Sequence, residues 1–111
     1  MRATLKVRHA SWLVPETFDL LRKANVALCF HDARTQPVVE PVTADFVYVR
    51  RHGTARRYHG SYTPRMLEAD ADRIAGWLAD GLDVYVYFNN DGGGAAVRNA
   101  LRLRELIGQA V

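Results

Sequence analysis

Tyr85-Val86-Tyr87-Phe88-Asn89-Asn90-Asp91-Gly92-Gly93-Gly94 reads as a strand that stops in a polar, glycine-rich turn and feeds directly into a helix, Ala95 to Ile107. Val84, Val86 and Phe88 fall on one side of it and Tyr85, Tyr87 and Asn89 on the other, the period of two that a strand imposes. Such a turn sets backbone N–H groups at a helix N-terminus, where the macrodipole favours anions. No Gly-Lys-Ser/Thr follows the glycines, so the run is not a P-loop. It serves either as an anion cradle or only as a flexible start to the helix.

The same two-faced pattern recurs upstream. Asp45 to His52 sets Val47 and Val49 against Phe46, Tyr48, Arg50 and His52, and Thr4 to His9 sets Leu5 and Val7 against Lys6 and Arg8. Val26 to Phe30 is instead a continuous apolar run closing in His31-Asp32, the pattern of a strand buried on both faces. Between these lie helical segments. Pro15 suits a first helical turn, Phe18, Leu21 and Ala24 keep helical spacing, and Asn25 tolerates a left-handed C-cap. Thr63-Pro64 is an N-cap followed by proline at the first helical position. Leu67, Ala71, Ile74, Ala75 and Leu78 then trace an apolar stripe that Gly81 closes. The last helix turns Ala96, Ala100, Leu103 and Ile107 inward. Ser11-Trp12 and Ala33 to Thr43, with Pro37 and Pro41, read as loops.

Four strand-helix units in alternation predict parallel pairing with right-handed crossovers. In a doubly wound sheet helices cover both faces, and both should be apolar. In a barrel only one face meets the helices, while the other lines an interior where polar groups converge near the strand C-termini. The alternation of valines with Lys6, Arg8, Tyr48, Arg50, His52, Tyr85, Tyr87 and Asn89 favours a barrel wall.

Bulk properties bound the rest. The 111 residues make one domain, and the 49% apolar content argues against disorder. No apolar run is long enough to cross a membrane, and charges interrupt the N-terminal hydrophobics, so the expectation is a cytoplasmic protein. Cys29, the single cysteine, sits between Leu28 and Phe30 and reads as a small buried residue. Lys and Arg number 15 against 12 Asp and Glu, a formal charge of +3. Much of the excess lies in Arg50-Arg51-His52-Gly53-Thr54-Ala55-Arg56-Arg57-Tyr58-His59. This is either a solvated basic loop or the field of an anionic ligand.

Four segments together resemble the YecE-like family (domain of unknown function family 72). They are Arg8-His9-Ala10-Ser11-Trp12; Thr43-Ala44-Asp45-Phe46-Val47-Tyr48-Val49-Arg50-Arg51-His52-Gly53; Tyr58 with Gly60-Ser61-Tyr62-Thr63; and Tyr85 to Asn90 through Ala95-Ala96, Asn99-Ala100 and Leu101-Arg102-Leu103. The resemblance implies a TIM-type (β/α)8 barrel. Such a barrel needs about 250 residues, so the chain matches only its C-terminal half, strand-helix units five to eight: four parallel strands with helices on one face. The expectation is a fragment lacking the N-terminal half, or a homodimer in which two copies restore eight strands. The position where the family carries an acid in the first of these strands is Lys6 here, which implies the loss of a base or of a partner for Arg8. The resemblance implies no particular reaction.

Function in a barrel collects at the C-terminal ends of the strands, which nominates specific side chains. His52 and His9 are the acid/base candidates, with Asp32 beside them as a third catalytic candidate. Arg8 and Arg50 suit a carboxylate or phosphate through their planar fork. Asn89 and Asn90 both donate and accept, Trp12 walls a pocket, and Tyr58, Gly92 and Gly93 complete the ligand-binding set. Asp32 is equally a plain interior partner for Arg50. His31 reads as a core histidine and Trp77 as a packing residue. No close H-x-x-x-H or H-x-H spacing supports a metal, and no cofactor is implied. Three readings stand: a half barrel that binds an anionic small molecule or phosphodiester, with hydrolysis as the candidate reaction; a nucleic-acid-binding module using Arg50, Arg51, Arg56, Arg57 and Tyr58; and an inactive truncated remnant. Enzyme and binding protein are both open.

Overall fold

The computed structural model describes residues 1–32, 40–54 and 60–110. The elements run β1 (Ala3–Leu5), α1 (Pro15–Ala24), β2 (Val26–His31), β3 (Phe46–Arg51), α2 (Pro64–Ala79), β4 (Asp83–Phe88) and α3 (Ala95–Ala110), with 3-10 turns at Ala10–Trp12 and Gly92–Gly94. The four strands form one parallel sheet in the order β1-β2-β3-β4. The fold is the expected α/β half barrel with its helices on one face.

The period of two explains which face they cover. Leu28, Phe30, Val47 and Val49 are buried in one cluster with Val7 and Leu21, and Val84 and Val86 pack against it. A second cluster joins Leu67, Ala71 and Ile74 of α2 to Leu103 of α3, again with Val84, Val86 and Phe88 beneath. Trp77 bridges the two, its ring 5.6 Å from that of Phe30. The opposite face carries Tyr85 and Tyr87, which stay 39% and 49% exposed. That face curls. Arg2, just before β1, reaches Asp83 Oδ2 at 2.8 Å and Tyr85 Oη at 2.9 Å on β4. Across a flat sheet those edge strands would stand about 14 Å apart, too far for one Arg–Asp pair.

The caps follow the sequence. Asn25 takes φ 52 and ψ 45 at the end of α1, and Thr63 Oγ1 accepts from Met66 N at 3.2 Å at the start of α2. Thr63→Ala should lower stability by about 1 kcal/mol, measurable by urea unfolding.

Several expectations need correcting. The strand expected over Thr4–His9 is confined to Ala3–Leu5. Leu5, expected to point inward with Val7, is 41% exposed, because α1 packs on β2 and leaves the edge strand uncovered. Ala24 and Leu78 also lie exposed, and Ser11-Trp12 belongs to a 3-10 turn rather than a loop. On α3 Ala96 and Leu103 are buried as expected, but between them the buried residue is Asn99, not Ala100, because the Asn99 side chain answers polar groups beneath it. Of the connection read as a loop over Ala33–Thr43, residues 33–39 lie outside the described residues, and 40–45 contain no helix.

Candidate functional site

The C-terminal ends of β1, β3 and β4 meet on the face away from the helices. Register places His31 beside Arg50 and Arg50 beside Tyr87, so these side chains share one row of the inner face. One step further along, the Arg50 guanidinium donates to Asn89 Oδ1 through Nη2 at 2.8 Å and Nε at 3.2 Å. Below it the Tyr48 and Tyr87 rings lie 5.3 Å apart. Asp32 is not the partner of Arg50. A charged guanidinium is therefore held by a neutral amide oxygen.

His52 and Lys6 extend the row. His52 is 2% exposed, and Lys6 Nζ lies 3.0 Å from its Nε2. An ammonium has no acceptor, so Lys6 donates to Nε2 and the neutral ring carries its proton on Nδ1. Burial pushes the His52 pKa down to about 4, and the charge of Lys6, then that of Arg50, adds to the effect against an opposing pull from Asp32. At neutral pH His52 is thus an uncharged ring whose basic nitrogen is engaged by a cation. Lys6, which stands where the resemblance implied an acid, is thus part of what keeps His52 neutral.

Asp32 performs a different task. Its Oδ1 accepts from the backbone N–H of His52 at 2.7 Å, and its Oδ2 accepts a short hydrogen bond from the Tyr62 hydroxyl. The Tyr62 oxygen accepts in turn from Gly53 N at 3.0 Å. Burial and the Asp32 carboxylate both hold the Tyr62 phenol protonated, far above its ordinary range. The carboxylate thereby ties the end of β3 to the segment entering α2.

Asn90, nominated with Asn89, is fully buried. Its Nδ2 donates to Gly60 O and to Asn99 Oδ1, each at 2.8 Å, and Asn99 Oδ1 also accepts from Tyr62 N at 3.1 Å. The pair locks the turn after β4 onto the chain before α2. Asn99 lies in a segment that carries the family resemblance, but its role is not legible there, because one polar residue on an apolar helical face carries no signal of its own partner.

His9 lies exposed and caps its own 3-10 turn, with Nδ1 2.7 Å from Ser11 Oγ and accepting from Ser11 N at 3.2 Å. It lines one depression with Lys6, Arg8 and Trp12, and Trp12 is 61% exposed. At Gly92–Gly94 the chain makes a 3-10 turn in which Gly93 and Gly94 take φ of 64 and 75, values suited to glycine. Arg98 Nη1 donates to Gly93 O at 2.6 Å, so the arginine clasps the turn. Tyr58, with Arg56 and Arg57, lies outside the described residues. Arg51 is already committed: its fork grips Asp70 of α2 at 2.5 and 2.8 Å on the helix side. Among the described residues no three His, Cys, Asp or Glu side chains gather as a metal site, and no helix is long and apolar enough to cross a membrane. Cys29 is buried, and on the inner face the buried His31 sets Nε2 2.7 Å from Val7 O and its ring edge-on to His52 at 6.0 Å.

A family model described as Protein of unknown function DUF72 matches residues 1–111. Among solved structures, a DUF72 family protein from Thermotoga maritima superposes with a TM-score of 0.83 at 26% identity, over 97% of this chain and 46% of that one. Two structures of a DUF72 family protein from Enterococcus faecalis give TM-scores of 0.84 and 0.80 at 19% and 21% identity. They too are matched by 97% of this chain, over 48% and 49% of their own length. The chain spans about half the length of the structures it resembles. Comparison with the curated proteins finds no match.

Proposed function

The chain belongs to the DUF72 family, proteins of unknown function, and from that premise we propose that it binds an anionic, phosphate-bearing ligand at the C-terminal ends of its strands. The observation that carries the reading is the Arg50 guanidinium, half-buried and bound only to the neutral Asn89 Oδ1 among the described residues. A guanidinium in such a place keeps its full charge available and its fork pre-aimed, which suits a phosphate better than a water-filled surface does. Lys6 lies close enough for its charge and that of Arg50 to act on the same imidazole, so the local field favours an anion. Arg8 lines a depression with Lys6, His9 and Trp12, and Asn89 orients both Arg50 and the ligand. Hydrolysis of a bound phosphoester through His52 requires Lys6 to release Nε2, so ligand binding precedes any proton transfer there. The nucleic-acid alternative draws no support from Arg51, whose fork is spent on Asp70.

Inorganic phosphate at ten times its Kd should add about 1.4 kcal/mol of stability, a rise in Tm of about 5 °C. Arg50→Ala should cancel that rise, whereas Arg102→Ala, an exposed α3 residue paired with Glu105, should leave it intact. Protection that survives Arg50→Ala would remove Arg50 from the site.

A further inference from the structure

We infer that two copies of this chain close head to tail, β4 of each pairing with β1 of the other, into an eight-stranded parallel barrel. Among the described residues β1 and β4 are the edges of the sheet, and each leaves a row of backbone groups open to a further strand. All the strands are parallel, so a β4–β1 seam between copies is also parallel, and one two-fold axis makes both seams at once.

The charges of the two edges are complementary. Residues 1–9 contain Arg2, Lys6 and Arg8 and no acid, whereas residues 80–91 contain Asp80, Asp83 and Asp91 and no base. Their order also agrees. Arg2 and Asp83 sit at the N-terminal ends of their strands, Arg8 and Asp91 beyond the C-terminal ends. Arg2 already pairs with Asp83, and Lys6 with His52, inside one copy, so what a parallel seam sets side by side is Arg8 and Asp91, while β1 against β1 or β4 against β4 sets like against like.

The apolar surface is distributed to the same effect. Leu5 and Trp12 stand exposed on β1 and just after it, and Leu78 and Leu101 on the two helices that flank β4. Beside β4 an open groove runs between α2 and α3 over Val84, Val86, Phe88 and Leu103. The inner face agrees as well: Tyr85 and Tyr87 are 39% and 49% exposed on a curved sheet that has no facing wall among the described residues. A second copy supplies that wall, and the tyrosines of both copies fill the interior as side-chain layers fill a barrel. Closure also brings Arg8 of the second copy to the Asn89 end of β4. The inference rests on the edges, not on the ligand, and holds whether or not phosphate binds.

Light scattering on the size-excluded protein at about 50 μM, well above a micromolar Kd, should give twice the chain mass of 12.5 kDa. Leu5→Glu, at an already exposed position, should yield a monomer with an unchanged far-UV circular dichroism spectrum. Arg8→Glu and Asp91→Arg should each weaken the dimer about tenfold or more, and the two together in one chain should recover most of the loss. A monomer at that concentration overturns the inference, as does a dimer indifferent to Leu5→Glu, or a charge swap that recovers nothing. Loss of phosphate protection with the dimer intact would count against the ligand alone.

Discussion

Between pH 6.5 and pH 4 the protein should lose about 3 kcal/mol of stability through His52 alone. The unfolded ring titrates at its ordinary value near 6.5, while in the fold burial, then Lys6, hold it down to about 4. In that window the unfolded chain binds a proton that the native chain refuses, so acid favours unfolding. The contribution is fully present above pH 6.5 and fades as the pH falls through the folded value. Urea unfolding at pH 7, 6, 5 and 4 should show this slope for the wild type. His52→Gln should lose it between pH 6.5 and 4, leaving the carboxylates to dominate at lower pH. Equal slopes for the two proteins would show that His52 is not held neutral. Lys6→Met supplies a separate readout, because removing the neighbouring ammonium should move the His52 titration upward in an NMR pH series. An anion bound beside Lys6 and Arg50 should move it the same way.

Asp70→Ala should cost about 3 kcal/mol, a fall in Tm of about 12 °C. Arg51 and Asp70 form a bidentate pair at 2.5 and 2.8 Å, with side chains only 14% and 15% exposed. They lie among Val49, Ile74, Trp77 and Val86, between β3 and α2. Removing the carboxylate strands a guanidinium in that apolar setting, where it cannot shed its charge. The double variant Arg51→Met/Asp70→Leu should recover most of the loss, since apolar groups of similar volume need no ion pair. Thermal unfolding of the three variants checks the point. A double variant no better than Asp70→Ala would mean that the pair contributes net attraction beyond its desolvation cost. The neighbouring Arg73 guanidinium, 4.8 Å above the Trp77 ring, remains in place to cover that side.

The two arginines at the end of β3 show how unequal neighbours become. Period two sends Arg50 to the inner face and Arg51 to the helix side, so one is left with a neutral amide and the other with a buried carboxylate. In the sequence they are a single basic dipeptide. Alternation tells which face each takes, but a partner 19 or 39 residues away along the chain is invisible to it. Lys6 is the sharper instance. The family resemblance makes it a missing acid, yet in the fold it stands 3.0 Å from His52 and adds to the burial that keeps the ring neutral.

Sequence alone determined the architecture. Valine against tyrosine and arginine at every second position in β3 and β4 required a sheet with one helix-covered face and one open face. Thr63-Pro64 and Asn25 marked helix ends, because caps act within a turn of the residues they serve. Only tertiary structure decided what the polar face does. Arg50 with Asn89, Lys6 with His52, and Asp32 with Tyr62 depend on strand order, register and the curl of the sheet. The same holds for Asn99 displacing Ala100 from the core and for Leu5 standing exposed, which follow from where α3 and α1 dock. Local periodicity is a property of consecutive residues, whereas these pairings join residues 30 to 46 positions apart, brought together only when the strands lie side by side.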